Sequence, residues 1–439
     1  MFKGRRRFIV YLMLFLFWFI GYMDRVNMSM AAKPIADAFG LSPVALGYLF
    51  SSFLWSYTLF LVPVGLAIYR WGTRKIATFG MGLWSLAQIA TGLAGGFASM
   101  LVARLTLGIG ESPGNSVCTR GVREWSPASE RGFAMTSFVA SNYAAGAFGA
   151  PIVAWLMREY GWRASFYITG SLGIVWAIIW LAFFRRPEDT SWIDETERQK
   201  ILSERDASTD SFENREGLRG VLELLKGRTL WGLALTQGCL VYMLYLFLSW
   251  LPGYLQMSRG LSIMSSGLYT SVPYLVTVVL ALLFGHLGDR MLNRESLRKG
   301  SRRVFVATWM ILSATVLGIQ FVDSLAVVLI LITIAMVASA TALSANFTLT
   351  SDLLRVPSKM GTTVAILATG GNIFGMLAPI VTGYIVNATG SFNLAFDVAG
   401  VIAIVGAIIV MTMTRQPIGH EPVPLAESDA NPGVQPAHP

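Results

Sequence analysis

The sequence predicts an all-α integral membrane protein with twelve transmembrane helices in two pseudo-symmetric six-helix bundles. Hydrophobic residues make up 54% of the 439 positions, close to the roughly 240 that twelve spans of about 20 residues would use. Charged residues are only 13%, about half the share usual in soluble globular domains, and the mean hydropathy is +0.57. An ordinary soluble enzyme is excluded on these grounds.

Apolar runs place spans 1 to 6 at 8–28, 44–69, 76–96, 98–120, 135–157 and 164–184, and spans 7 to 12 at 229–256, 264–288, 303–321, 325–350, 361–387 and 392–414. The chain therefore divides into an N-terminal bundle (1–184), a cytoplasmic linker (185–228), a C-terminal bundle (229–414) and a tail (415–439). The linker is too polar to cross a membrane and has the mixed charge of a short amphipathic helix. The tail, rich in Pro and small polar residues, is predicted to be a disordered cytoplasmic segment.

A net charge of +9 raises nucleic acid as a partner, and the placement of the charge excludes it. With the N terminus inside, all but six of the 34 Lys and Arg fall in the linker, the tail or loops on the cytoplasmic side. Lys33, Arg158, Arg163 and Arg259 lie on the other side, and Arg25 and Arg104 lie within spans. This is the positive-inside pattern, so the basicity reports topology. The opening KGRRR and apolar run also have the form of a signal peptide, but the run is long enough to be span 1 and continues to Asp24 and Arg25. Cys118 and Cys239 form no disulfide or zinc framework, and no metal-ligand spacing, phosphate loop or nucleophile-base pair is present.

Two features carry function. The loop after span 2, GLAIYRWGTRK from Gly65, is matched by GHLGDRMLNRE from Gly285 after span 8. A loop repeated at the same place in each half is the mark of a duplicated transporter. The second feature is a set of four ionisable residues well inside spans: Asp24 and Arg25 on span 1, Arg104 and Glu111 on span 4. A lone charge there costs at least about 2.5 to 3.5 kcal/mol, so each should face a partner or a wet cavity. Their charges sum to zero. Arg104 and Glu111, seven apart, share a helix face, whereas Asp24 and Arg25 diverge by about 100° and only one of them can point into a central cavity. Arg25 is assigned to the cavity and Asp24 to the neighbouring helices. A bound carboxylate adds one negative charge, and protonating one acid restores neutrality, which is a reason to couple anion entry to proton entry.

From span 1 to span 12 the chain resembles the major facilitator superfamily, on the Gly65 to Lys75 loop and on Arg104-x-x-x-Gly108-x-Gly110-Glu111. Gly21-Tyr22-Met23-Asp24-Arg25-Val26-Asn27 with Glu111-Ser112-Pro113 is similar to its anion:cation symporters, which include galactonate, hexuronate and glucarate transporters. The resemblance implies proton coupling at Asp24 and Glu111. It also implies substrate contacts at Tyr22, Arg25, Tyr57, Arg104, Asn142, Gln237, Asn346, Phe347 and Asn372, and gating by Gly65, Arg70, Gly72, Arg74, Gly285, Asp289 and Arg290. Each tyrosine, taken alone, is more often a packing residue than a substrate contact, and Asn372 could equally be helix-to-helix glue. Tyr69 stands where the family has Asp, which puts the cytoplasmic latch in question. Span 7 lacks the second cavity Arg of the glutamate carriers, which favours a hydroxylated monocarboxylate.

The resulting expectation is a proton-coupled symporter of a small organic anion, a sugar acid such as an aldonate or uronate, working by alternating access as a monomer in the inner membrane. Both termini would be cytoplasmic, and the chain would have no catalytic activity, no nucleic-acid partner and no cofactor beyond the proton. The alternatives are a sodium-coupled or exchange carrier of phosphate or dicarboxylates, and an anion sensor that does not transport.

Overall fold

A computed structural model of the chain describes residues 5–205, 222–291, 300–356 and 359–418. The side chains of Val139, Asp289 and Met291, the middle of the linker and the tail beyond Ile418 lie outside the described residues, and with them the expectation of tail disorder.

Among the described residues there are helices and no strands, and nine helical runs are long and apolar enough to cross a membrane. Two of them are too long to be single spans. Pro43–Leu93 has 51 residues, which at about 1.5 Å each is more than twice the roughly 30 Å apolar core. Gly72 (φ 77°) breaks it into spans 2 and 3, and Gly161 (φ 82°) likewise separates spans 5 and 6. Only glycine takes up that left-handed conformation without strain. Span 4 is also divided, into Phe97–Glu111 and Gly114–Trp125, where the sequence suggests one continuous helix. Pro113, which has no N–H to donate, ends the ladder directly after Glu111. Span 5 carries a π-helical turn at Ala145–Gly149, and span 9 tightens from Ser301–Ser313 into a 3-10 helix, Ala314–Phe321.

The remaining spans are Arg7–Met30 (span 1), Arg228–Met257 (span 7), Ile263–Met291 (span 8), Leu325–Leu353 (span 10), Met360–Thr389 (span 11) and Asn393–Met413 (span 12). One end of the bundle carries Arg7, the Gly72 turn and the end of span 12, and is called the basic end here. Large apolar side chains such as Leu59, Phe79, Val102 and Ile178 are exposed along the flanks, as a surface solvated by lipid requires.

The two halves meet at the opposite end. Ser29 donates to the Ser249 carbonyl (2.7 Å), Gln256 to the Met30 carbonyl (3.1 Å) and Ser51 to the Met376 carbonyl (2.8 Å), while the Tyr48 and Tyr384 hydroxyls lie 3.2 Å apart. Spans 2 and 11 approach so closely that a Cβ on Gly47 would lie 2.6 Å from the Pro379 carbonyl oxygen, and one on Gly383 would lie 2.5 Å from that of Pro43. Glycine at both positions lets the backbones touch. The structure is thus closed at the end away from the basic loops.

The first part of the linker is docked on the N-terminal half. Asp194 caps the helix Glu195–Ser203 by accepting from the Glu197 amide (2.8 Å). Glu197 in turn accepts from the Arg7 amide (3.0 Å) and its guanidinium (2.9 Å), and Arg7 also binds Glu130 (2.6 Å). Trp192 stacks on Trp125 with ring centres 5.1 Å apart. Burial pushes the Glu188 carboxyl up, but the Arg205 guanidinium 2.6 Å away, a backbone hydrogen bond and the Arg186 charge together hold the group below its ordinary 4.5.

Candidate functional site

Span 1 presents Asp24 and Arg25 to different surroundings, as the angle between neighbouring helical residues requires. Arg25 reaches across to span 4, where its Nη2 and Nε donate to Glu111 Oε2 at 2.6 and 3.1 Å. It also donates to the Tyr245 hydroxyl on span 7 at 3.3 Å. Aromatic rings surround the guanidinium: Tyr22 at 4.4 Å, Phe53 at 4.8 Å, Trp18 at 5.8 Å and Tyr57 at 5.9 Å from the ring centres. These faces favour a cation that has been taken out of water. A single side chain on span 1 therefore contacts an acid of its own half and a hydroxyl of the other.

Asp24 turns into the seam between spans 1, 3 and 6. One turn along, Asn27 donates to Thr169 (3.1 Å) and accepts from Ser165 (2.8 Å), and Gln88 also donates to Thr169 (3.2 Å). Those donors are used among themselves. Both carboxylate oxygens of Asp24 are left without a hydrogen bond, and the residue is fully buried.

Arg104 shares a face with Glu111 but makes no ion pair with it. Its Nε and Nη1 have no partner, and its guanidinium lies 5.1 Å from the Phe53 ring. Arg25 and Arg104 flank one small void, also lined by Met28, Phe50, Phe53, Tyr245, Leu248 and Ser249. Where the sequence predicts a partner or a wet cavity for each charge, the cluster is enclosed: Asp24, Arg25, Arg104 and Glu111 are 0, 5, 1 and 0% exposed. With the halves pressed together at the opposite end, Phe50 and Phe53 cover the cluster from span 2. Of the four charged groups, only Arg25 and Glu111 form an ion pair.

The other candidates are more dispersed. Tyr57 accepts from Asn115 (3.1 Å), an exposed residue in the middle of span 4. Asn115 escaped the sequence reading, although a polar residue one turn beyond Glu111 at a proline break was a usable signal. Tyr245 on span 7 and Phe53, which had no signal beyond its apolarity, complete the ring around Arg25. Asn142 is half-buried and its Oδ1 lacks a partner. Gln237 and Asn346 bond to one another (2.9 Å), and Asn346 also donates to the Leu233 carbonyl (3.3 Å), tying span 7 to span 10. Phe347 packs on the smaller apolar cluster of the C-terminal half. Asn372 is half-buried beside Gly371. Among the described residues no hydrogen bond joins Asn142, Gln237, Asn346 or Asn372 to Arg25.

The sequence profile of the Major Facilitator Superfamily matches residues 8–298 and 296–437. The chain belongs to this superfamily. It is similar to a probable galactarate/D-glucarate transporter of Bacillus subtilis, at 31% identity over 92% of this chain and 90% of that one. A D-galactonate transporter of Escherichia coli is 30% identical over 92% and 95%, and a probable L-galactonate transporter of the same species is 32% identical over 93% and 89%. Among solved structures, a bacterial homologue of the human lysosomal transporter Spinster superposes with a TM-score of 0.73 at 18% identity, over 93% of this chain and 97% of that one. The superfamily's fold of twelve spans is the one described above, and the chain is a multi-pass membrane transporter and not an enzyme.

The superfamily loop after span 2 has an arrangement of its own. Tyr69 lies under the Arg120 guanidinium, 5.1 Å from ring centre to carbon. Arg120 is also bound to Glu124 (2.8 Å) one turn along, and Glu124 accepts from Thr73 just past the turn (2.9 Å). The position of the usual acid is thus filled by an aromatic face, and the acid partner of Arg120 comes from span 4 itself. Arg74 donates to the Leu181 carbonyl (3.0 Å), fastening the loop to span 6, while Arg70 is exposed. Gly65 and Gly285 occupy matching places before the two loops. Arg290 is exposed, and the Asp289 side chain lies outside the described residues.

Proposed function

We propose that the chain is a proton-coupled symporter that imports a small organic anion, a sugar acid of the aldonate or uronate type, by alternating access. It would reside as a monomer in the inner membrane with the basic end and both termini in the cytoplasm, so that the structure described is the inward-facing form. One observation carries the reading. Arg25 is held by Glu111 in its own half and touches Tyr245 in the other, while its neighbour Asp24 is buried with neither carboxylate oxygen hydrogen-bonded.

A substrate carboxylate competes with Glu111 for Arg25. A proton on Glu111 weakens the internal pair and frees the guanidinium, and a two-point bond between guanidinium and carboxylate replaces it. Arg104, with free N–H groups on the same void, supplies a second cationic neighbour. An ionised carboxylate that makes no hydrogen bond in a buried seam costs several kcal/mol, so the closed surroundings of Asp24 suit the neutral acid. The ion would then form only when the halves part. Tyr22, Tyr57 and Asn115 offer hydroxyl and amide groups toward a polyol chain, and Asn142, Asn346, Phe347 and Asn372 would join only after rearrangement of the C-terminal half. The sugar-acid transporters among the relatives support the substrate class. Gly65, Arg70, Gly72, Arg74, Gly285, Asp289 and Arg290 would form the cytoplasmic gate.

The test is a thermal-shift screen of purified protein against galactonate, glucarate, glucuronate, phosphate and succinate, followed by uptake into proteoliposomes. The reading predicts a shift with a sugar acid and accumulation driven by an inward pH gradient without sodium. Accumulation requiring sodium, or binding without any accumulation, would replace it by a sodium-coupled carrier or a sensor.

A further inference from the structure

At the basic end, span 7 begins beside the end of span 12. The two cross at Gly232, where an added Cβ would lie 2.6 Å from the Met413 Cβ. Beyond the crossing they part and leave a cavity of about 340 Å³ lined by Arg228, Thr412, Met413, Arg415 and Gln416. Its walls are fixed. Thr229 donates to the Gln416 carbonyl (2.7 Å), and two residues on, Ile418 donates to the Leu353 carbonyl (2.7 Å) and accepts from the Arg355 amide (3.1 Å). Both arginines are exposed, and among the described residues neither pairs with an acid.

We propose that this cavity binds the phosphodiester headgroup of an anionic phospholipid. Charge complementarity is the first argument, because two guanidiniums without a carboxylate form an acceptor for phosphate oxygens. The second argument separates a lipid from free phosphate. On span 12, Val401, Val405 and Ile408 are 52, 45 and 58% exposed. At spacings of four and three they share one helix face, and Thr412, four residues further, brings that face to the cavity wall. An acyl chain lying along this row delivers its headgroup to Arg228 and Arg415. Trp231, one turn from Arg228 and 48% exposed, stands at the level where tryptophan anchors in a headgroup layer. Basic pockets between spans on the cytoplasmic side are suited to anionic headgroups. The site is separate from the Arg25 cluster and does not depend on the transport reading.

The experiment compares full-length protein in phosphatidylcholine nanodiscs with and without phosphatidylglycerol, and in phosphatidylcholine with added inorganic phosphate. Phosphatidylglycerol should raise the melting temperature by about 2 to 4 °C. Arg228→Gln/Arg415→Gln should lose the shift, whereas Arg5→Gln/Arg123→Gln, which removes as much charge elsewhere on the basic end, should keep it. An equal shift in both double variants would overturn the site, and a shift matched by inorganic phosphate would overturn the lipid assignment. Should the first double variant fail to fold, native mass spectrometry of the wild type in a mixture of the two lipids decides. Preferential retention of phosphatidylglycerol supports the proposal, and indifferent retention contradicts it.

Discussion

Arg25 and Glu111, 86 residues apart, are joined by two hydrogen bonds of 2.6 and 3.1 Å to a single carboxylate oxygen, Oε2, and the other oxygen, Oε1, has no partner. The pair is almost fully enclosed, and one acceptor position of Glu111 is unspent. Such a pair is costly to break from one side, because the survivor is left buried and unpaired, at about 3 to 5 kcal/mol. Arg25→Ala should therefore lower the melting temperature and reduce sugar-acid uptake by about 100-fold or more, a loss of transition-state binding near 2.7 kcal/mol. Glu111→Gln should preserve folding better, since the amide can still accept from Arg25. Substrate binding to Arg25→Ala at wild-type affinity, read by calorimetry, would remove Arg25 from the site.

Gly47 packs against the Pro379 backbone at the closed end. Gly47→Val adds atoms where a single Cβ is already too close, so the closed end should open and the population shift toward the outward-facing form. A cysteine at Ser249 should then react with a membrane-impermeant thiol reagent at least about tenfold faster from the outside, with uptake reduced. Unchanged labelling would mean that this contact does not govern closure.

Tyr69 lies under Arg120, and its ring is 44% exposed. Exposed cation–π contacts are worth about 0.5 to 1 kcal/mol. Tyr69→Phe keeps the ring under Arg120 and should lose less than Tyr69→Ala, which should lower the melting temperature by a degree or two. Equal losses in both would assign the effect to the hydroxyl.

These cases mark what the sequence made legible. Span number and the family followed from hydropathy, basic loops and the repeated Gly-Arg spacing, because burial in lipid leaves a direct compositional trace. The break at Ser112-Pro113 was visible as a proline, yet the length of the apolar run concealed it. Within the site, Asp24, Arg25, Arg104 and Glu111 were conspicuous because charge is rare inside spans. Their partners were not: Phe53 looks like an ordinary apolar residue, and Tyr245 lies 220 residues from Arg25 in the other half. The dryness of the cluster was also beyond the sequence, since enclosure depends on how the two halves meet. Arg7, read only as part of a positive flank, proved to be a buried clamp on Glu130 and Glu197.

That clamp holds the linker helix to span 1. Glu197→Gln should free residues 195–203, visible as faster amide exchange there with little change in the spans. Acid acts in the same direction at Glu188. Its pKa is depressed in the folded chain, so its stabilising share is present above 4.5 and is lost as the pH falls through the lower folded value. Exchange in the linker should therefore rise as the pH falls through that lower value, and a linker indifferent to both changes would contradict the docking described.

The most direct test of the account is a comparison of two assays on Asp24→Asn in proteoliposomes: counterflow of labelled sugar acid, which needs no net proton movement, and accumulation driven by an inward pH gradient. The amide mimics the neutral acid that the buried seam accommodates. The account predicts that counterflow persists within a few-fold of wild type while pH-driven accumulation disappears. Accumulation at the wild-type level in this variant would contradict it, and proton coupling would have to reside elsewhere in the chain.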